Sequence, residues 1–577
     1  MSDSVSTHTP TKTGTHSTTS DSTDVPVFYS NQKVDRWTNN ISYRQLVVSS
    51  CIGVFQLWWH PYLHDLRKLL PFIFLYNVFS VFVGYPMFFL ELVIGAVTKK
   101  GVLSAWDLAP VARGVGCSML LTSAVTALAL GVVAAWWLAL AVHSAHSFLP
   151  WLHCAAAAQP PCAARHRPLT NDSETPANSF FFNFVLNLKR DDLEGGMGKI
   201  VWELYAYYVI CWLLIYFIAV KKIYSYSKLV LFKDVLAFFV LICCAIGCTR
   251  LEGAGRMFRE CDWSVLFDGF QIWREAIEYA LLEMTVSQGT LVMLGSYCPQ
   301  QKVKMSQTAL LSFVASKTCC MLTALTLGAT HGALMTDYDS NGTNIWSGMR
   351  DDRPGILWSA CPGDRDHVDN SHWEYSPITL GPPASVILWA DYVARVPGSQ
   401  FWSGLIFFTL FVLTVSFVSL TVQTIMSTFS GRSIRKITWA FLIIICSLFC
   451  TIGVITLCTQ SGLYILTFLM DWPVTRPRTA IAAVMGFVIT FAYGQTTFCE
   501  DIFFAVGEYP CVFIRICWAI APFFLMTAFF SGLTDQTQSA ATAGWSVVGF
   551  MLLPIFAVLA AYLIFKCRVR NIVRSEK

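Results

Sequence analysis

Two stretches of this chain carry polar side chains inside otherwise apolar runs. One, near residues 43–63, holds Ser49, Ser50, Gly53 and Gln56 ahead of His60-Pro61. The other, near 267–297, holds Glu275, Glu278, Glu283, Ser287, Gln288 and Gly289. A carboxylate at such depth costs several kcal/mol unless it faces water or a partner, so these groups read as an interior binding site. Bond-making chemistry is excluded as a reading, because no nucleophile–base pair, metal cluster or phosphate-binding Gly loop occurs at a meaningful spacing.

The elements that must position these groups are apolar and long. About twelve runs of near 20 residues fall at about 43–63, 69–95, 117–149, 199–220, 228–249, 267–297, 307–332, 400–429, 437–457, 460–493, 514–533 and 544–567. A bilayer core about 30 Å thick needs about 20 apolar residues per helix. The composition agrees, with 55% hydrophobic and 13% charged residues and a mean hydropathy of +0.53. The fold class expected is an all-α polytopic membrane protein with a bilayer around it. The net charge of +4 reflects loop bias and gives no sign of a nucleic-acid partner.

Residues 1–40 are Ser/Thr-rich and aromatic-poor, and they are expected to be a disordered tail. Lys99-Lys100, Lys221-Lys222, Lys302 with Lys304, Arg432 with Arg435-Lys436, and Lys566, Arg568 and Arg570 share one side if the helices alternate. That side is cytoplasmic by the positive-inside bias. Both termini, including the tail 568–577, are then cytoplasmic, around a membrane domain at 41–567. Loops at about 151–198 and 334–398 lie on the opposite face. They carry Cys154 and Cys162, expected to form a disulfide, and the glycosylation acceptors Asn171 and Asn341. A plasma-membrane location follows.

The two polar-interrupted runs are the first and the sixth. Breaks five helices apart occur in transporters built from inverted repeats. A longer series of residues points the same way. Late in the chain it comprises Cys446-Ser447-Leu448-Phe449, Ser461-Gly462-Leu463-Tyr464, Asp471, Tyr493-Gly494, Phe498, Glu500-Asp501-Ile502, Gly507, Pro510 and Cys517-Trp518 with Pro522. Earlier it comprises Arg36-Trp37, Pro61-Tyr62-Leu63, Pro86, Phe88-Phe89-Leu90-Glu91, Leu149-Pro150-Trp151 before Cys154, and Ser296-Tyr297. In order and spacing, from about residue 36 to 567, the chain resembles the neurotransmitter:sodium symporters of solute carrier family 6, as a divergent animal-type member.

The resemblance implies twelve helices with a 5+5 inverted repeat as in the bacterial leucine transporter, substrate and Na⁺ near the midplane, and alternating access. It carries the Na⁺ positions onto Ser49, Cys51, Ile52, Gln56, Glu283, Ser312, Leu413, Ser416 and Phe417. It carries the substrate positions onto Gly53, Leu130 and Ser287, and the outer gate onto Trp59 and Asp471. Several of these depart from the family pattern. Gln56 stands for an Asn ligand, Phe417 for a ligating Ser, Ser416 for an Asp of animal members, and Leu130 for a substrate-contacting Tyr. Phe72 stands for a chloride-linked Tyr, and Trp59 for an Arg that pairs with the acidic gate residue.

Glu283 falls on a hydroxyl position of the first sodium site. A carboxylate there either binds Na⁺ or supplies the fixed charge of chloride, or else it pairs with Lys317. Arg476 and Arg478 either replace the missing gate arginine or lie solvated on the outer face. His60 and His143 are expected in packed or vestibule positions. The function implied is secondary transport of an amino acid or related amine with Na⁺, with chloride doubtful and homo-oligomers left open. The alternatives are an ion-uncoupled or proton-linked transporter, or a non-transporting sensor or accessory member. Gly53 leaves room for a substrate carboxylate and favours amino acids.

Overall fold

The computed structural model describes residues 40–58, 62–63, 65–153, 175–188, 197–220, 223–299, 303–340, 383–429, 435–534 and 541–575. Trp59, His60, Cys154, Cys162, Asn171, Asn341 and the tail 1–39 lie outside them. Ten helical stretches among the described residues are long and apolar enough to cross a membrane. They correspond to ten of the expected spans. The first and sixth are missing from this set because each is broken. Span one runs Asn40–Ser50 and resumes at Val54–Leu57. Span six runs Gln271–Glu283 and resumes at Thr290–Ser296.

The breaks follow from the residues between the halves. Ser49, Ser50 and Gly53 in span one, and Thr285, Val286, Ser287 and Gly289 in span six, are β-branched, hydroxylated or glycine, all poor helix formers. The chain passes the span-six break with positive φ at Thr285 (55°), Ser287 (64°) and Gly289 (80°). Two of these are not glycine, and such backbone costs on the order of 1–3 kcal/mol per residue.

Some boundaries differ from expectation. Span three ends at His143, not near 149, because Ser144 and the polar residues after it turn the chain. Span seven runs on to Ser340, past its expected end at 332. The loop at 334–398 contains a helix, Pro383–Arg395, whose Trp389 Nε1 donates to Leu57 O at 2.9 Å and whose Tyr392 Oη donates to Cys244 O at 3.1 Å. This element packs against span one at Leu57. The last helix extends to Ser575.

Lipid tails are as apolar as leucine, so membrane helices associate through close packing and polar contacts. Spans three and eight pack along their lengths. Span two clasps the second half of span six through paired glycines. A Cβ on Gly95 would lie 2.1 Å from Val292 O, and one on Gly295 would lie 2.1 Å from Leu92 O. That backbone contact brings Glu91 under the span-six break. The outward faces are apolar, as at Phe239, Ile246 and Phe556, which suits a hydrocarbon surround.

Candidate cation and substrate site

A helix broken inside a membrane leaves carbonyls and N–H groups that must find partners within the protein. In span one, the carbonyls of Ser49 and Ile52 both accept from the ammonium of Lys233, at 2.9 and 2.7 Å. Lys233 is buried and also donates to Asp234 Oδ1 at 2.9 Å, and the same oxygen accepts from Ser49 Oγ at 2.8 Å. Further along, Phe55 O accepts from Tyr279 Oη at 3.0 Å.

In span six the partners are different. Glu91 caps the second half, accepting from Ser287 N at 2.7 Å and Gly289 N at 2.9 Å. Arg478, fully buried, donates to Val286 O at 3.0 Å, Val474 O at 2.7 Å, Gln288 Oε1 at 3.2 Å and Thr126 Oγ1 at 3.3 Å. Ser287 Oγ donates to Arg478 O at 3.0 Å, Gln288 Nε2 donates to Thr421 Oγ1 at 3.0 Å, and Ser123 Oγ donates to Gln288 O.

Between the breaks lies a network around the buried carboxylate of Glu283. It receives hydrogen bonds from Tyr76 Oη, Ser316 Oγ and Lys317 Nζ. Lys317 forms an ion pair with it and also donates to Ser80 Oγ at 2.6 Å. Gln56 joins the two breaks: its Nε2 donates to Glu283 O and to Ser316 Oγ, both at 3.0 Å, while its Oε1 accepts from Gly53 N at 2.9 Å.

Of the expected Na⁺ positions, Ser49, Cys51, Ile52, Gln56 and Glu283 come together at the two breaks. Ser312 does not join them, since its hydroxyl donates to Thr308 O in its own helix at 2.9 Å. Ser316, one turn on, faces Glu283 instead. Leu413 is buried in span eight. Ser416 is engaged by Tyr226, with Oγ–Oη 2.5 Å and Oη donating to Ser416 O at 3.0 Å. Phe417 packs edge-on against Phe55 with ring centroids 5.3 Å apart. The hydroxyl lost at Phe72 is supplied one turn later by Tyr76, whose ring stacks on Phe72 at 6.2 Å.

Of the substrate positions, Ser287 sits in the span-six break and Leu130 is buried in span three. Gly53 does not leave the expected room: a Cβ there would meet Phe417 Cδ2 at 3.1 Å, so the phenyl ring fills that volume. The gate expectation is also corrected. Neither Arg476 nor Arg478 is solvated. Arg476 lies over the rings of Trp472 and Trp545, 4.4 and 5.6 Å from their centroids, and Arg478 enters the span-six break. Asp471 makes no ion pair among the described residues. His143 is packed, as expected, with Nδ1 2.8 Å from Ala139 O and Nε2 3.5 Å from Glu203.

Lys233 with Asp234 was not singled out from the sequence, although adjacent charges inside an apolar run are a signal in themselves. Arg478 was noticed, but its inward direction was not.

The positions fit the implied ions unequally. At the first position, Glu283 and Ser316 offer oxygens and a negative charge, which suits a small cation that takes the place of the Lys317 ammonium, while Gln56 faces them with its Nε2. At the second, an ammonium already holds the carbonyls and Phe417 offers no oxygen, so Na⁺ does not fit. Chloride does not fit either, because the hydroxyls of Tyr76 and Ser316 and the ammonium of Lys317 all point at Glu283.

Membrane-length helices around two facing helix breaks, with charges buried at their junction, define a polytopic secondary transporter. The chain belongs to the sodium:neurotransmitter symporter family, whose profile matches residues 34–572. It is 23% identical to the sodium- and chloride-dependent glycine transporter 2 of Xenopus laevis, over 92% of this chain and 70% of that one. It is 22% identical to the sodium-dependent neutral amino acid transporter B(0)AT3 of Rattus norvegicus, over 88% and 85% respectively. A neutral and basic amino acid transporter B(0+) of Mus musculus, named as sodium- and chloride-dependent, is 23% identical over 86% and 79%.

Proposed function

We propose that this chain carries an amino acid or related amine across the plasma membrane as a Na⁺-coupled symporter, with both termini cytoplasmic. The observation that carries the reading is the bridge made by Gln56, which ties the span-one break to Glu283 and Ser316 beside the span-six break. Polar groups buried at membrane depth on two broken helices are expensive unless they serve a permeating solute or ion. The names of the relatives support sodium dependence and amino-acid substrates.

Glu283 and Ser316 would hold the ion, with Gln56 positioning both from the span-one break, and the ion when bound supplies a mobile positive charge driven by its gradient. Lys317 competes for the same carboxylate and keeps it neutralised when no ion is present. Arg478 and Gln288 lie at the span-six break with Ser287 and are suited to a substrate carboxylate.

The test is uptake of a pooled, labelled amino-acid and amine panel in cells expressing the chain, in Na⁺ against choline medium, with surface expression confirmed by labelling. Uptake several-fold higher in Na⁺ is expected. Uptake indifferent to Na⁺ would replace symport by an uncoupled or proton-linked carrier. Surface protein with no uptake would point to a sensor or accessory role.

A further inference from the structure

The span-one break forms a cation cage, and the chain fills it from within. Four oxygens from three residues converge there: the main-chain carbonyls of Ser49 and Ile52, the Ser49 hydroxyl, and Asp234 Oδ1. Carbonyls released by a broken helix are acceptors for a cation. The cation they meet is the Lys233 ammonium, which is 2% exposed and spends all three of its N–H donors on Ser49 O, Ile52 O and Asp234 Oδ1 at 2.7–2.9 Å.

The side facing span eight is closed as well. Tyr226 takes the Ser416 hydroxyl, and the Phe417 ring lies against Gly53 and Phe55. An exchangeable monovalent ion entering here would have to displace an ammonium with saturated hydrogen bonds, or sit within a few ångströms of it, where like charges in a low-dielectric interior repel strongly.

We propose that Lys233 is a tethered cation that permanently occupies the cage at the span-one break, so that no Na⁺ binds there and the chain takes up at most one Na⁺, at Glu283. The count at Glu283 rests on the symporter reading above; the occupancy of the cage does not. A free ion could bind on one side of the membrane and leave on the other. The ammonium cannot leave, so this position contributes charge balance and a fixed link between spans five and one, and it draws no work from an ion gradient. The adjacent Asp234 keeps the ammonium paired at membrane depth.

The experiment uses the full chain purified in detergent, with NaCl and choline chloride as probes. In Lys233→Ala, the vacated space keeps the Ser49 and Ile52 carbonyls and gains an unpaired Asp234 carboxylate, which together suit Na⁺. Replacing choline by Na⁺ is expected to raise the apparent Tm of the variant by several degrees more than that of the wild type. Lys233→Gln, which fills the space with a neutral amide, is expected to show no such gain. Equal Na⁺ responses in all three proteins would overturn the proposal.

Equilibrium binding of radioactive sodium to the wild type needs no variant to fold. At most one ion per chain is expected, and two would overturn the proposal. Neither measurement depends on transport. A chain that transports nothing, yet gains Na⁺ stabilisation only in Lys233→Ala, would sink the symporter reading and keep the tethered cation.

Discussion

The breaks in spans one and six are the same device used twice, five spans apart, yet they are completed in opposite ways. Span one exposes carbonyls, and a lysine from span five comes to them with its own aspartate. Span six exposes N–H groups to Glu91 of span two and a carbonyl to Arg478 of span ten. A broken helix presents a positive end at one half and a negative end at the other; in this chain both negative ends meet a tethered cation, the positive end in span six meets Glu91, and the positive end in span one meets the neutral amide of Gln56. The difference teaches where exchange with a ligand remains open. Around span one the carbonyls of Ser49 and Ile52 are committed to a tethered ammonium, while at Glu283 the proposed function has Na⁺ take the place of Lys317.

The largest effect is expected at the span-six break. Arg478→Ala removes a fully buried guanidinium and leaves the Val286 carbonyl and the Gln288 amide oxygen without their donor. A loss of about 3–5 kcal/mol is expected, read as a lower Tm of the purified protein. Amide exchange should quicken at 284–289 and stay unchanged at 48–53. Equal quickening at both breaks would show that they form one cooperative unit and dissolve the comparison.

Next comes the ion pair at the junction. Glu283→Gln and Lys317→Met each strand a partner at depth, and each is expected to cost about 3 kcal/mol. The double variant should recover part of that sum, with a coupling of about 1–3 kcal/mol in a thermal-unfolding cycle. Strict additivity would mean that the pair is incidental and that Glu283 stands free for an ion. The smallest effect is expected at Ser416→Ala, about 1 kcal/mol or less, because Tyr226 keeps the Ser416 carbonyl. A loss of Na⁺-dependent uptake from this change at unaltered stability would show that span eight still ligates an ion.

Much of this was legible in the chain itself. The two broken spans announced themselves as polar groups inside apolar runs, Ser49, Ser50, Gly53 and Gln56 in one and Glu275, Glu278, Glu283, Ser287, Gln288 and Gly289 in the other. The Glu283–Lys317 pairing was one of two open readings, because both charges fall inside spans and each needs a partner. The helix Pro383–Arg395 was missed within a stretch read as loop, and Ser312 was named where Ser316, one turn away, is the residue that meets Glu283. Arg478 was read either as a replacement for the gate arginine or as solvated on the outer face, yet Pro473 sits within a π-turn at Met470–Thr475 that keeps span ten helical, and the arginine is buried at the span-six break.

Length and apolarity fixed the compartment and the count of spans, since a bilayer demands a minimum run and leaves few alternatives. Weak helix formers fixed where spans one and six must break. Which charge answers which break was decided only in three dimensions. Lys233 is 184 residues from the Ser49 carbonyl and Arg478 is 192 from that of Val286, and no local pattern links them. Packing of span one on span five and of span six on span ten brings them together, and burial then makes each pairing obligatory, because a charge left alone at that depth is too costly to keep.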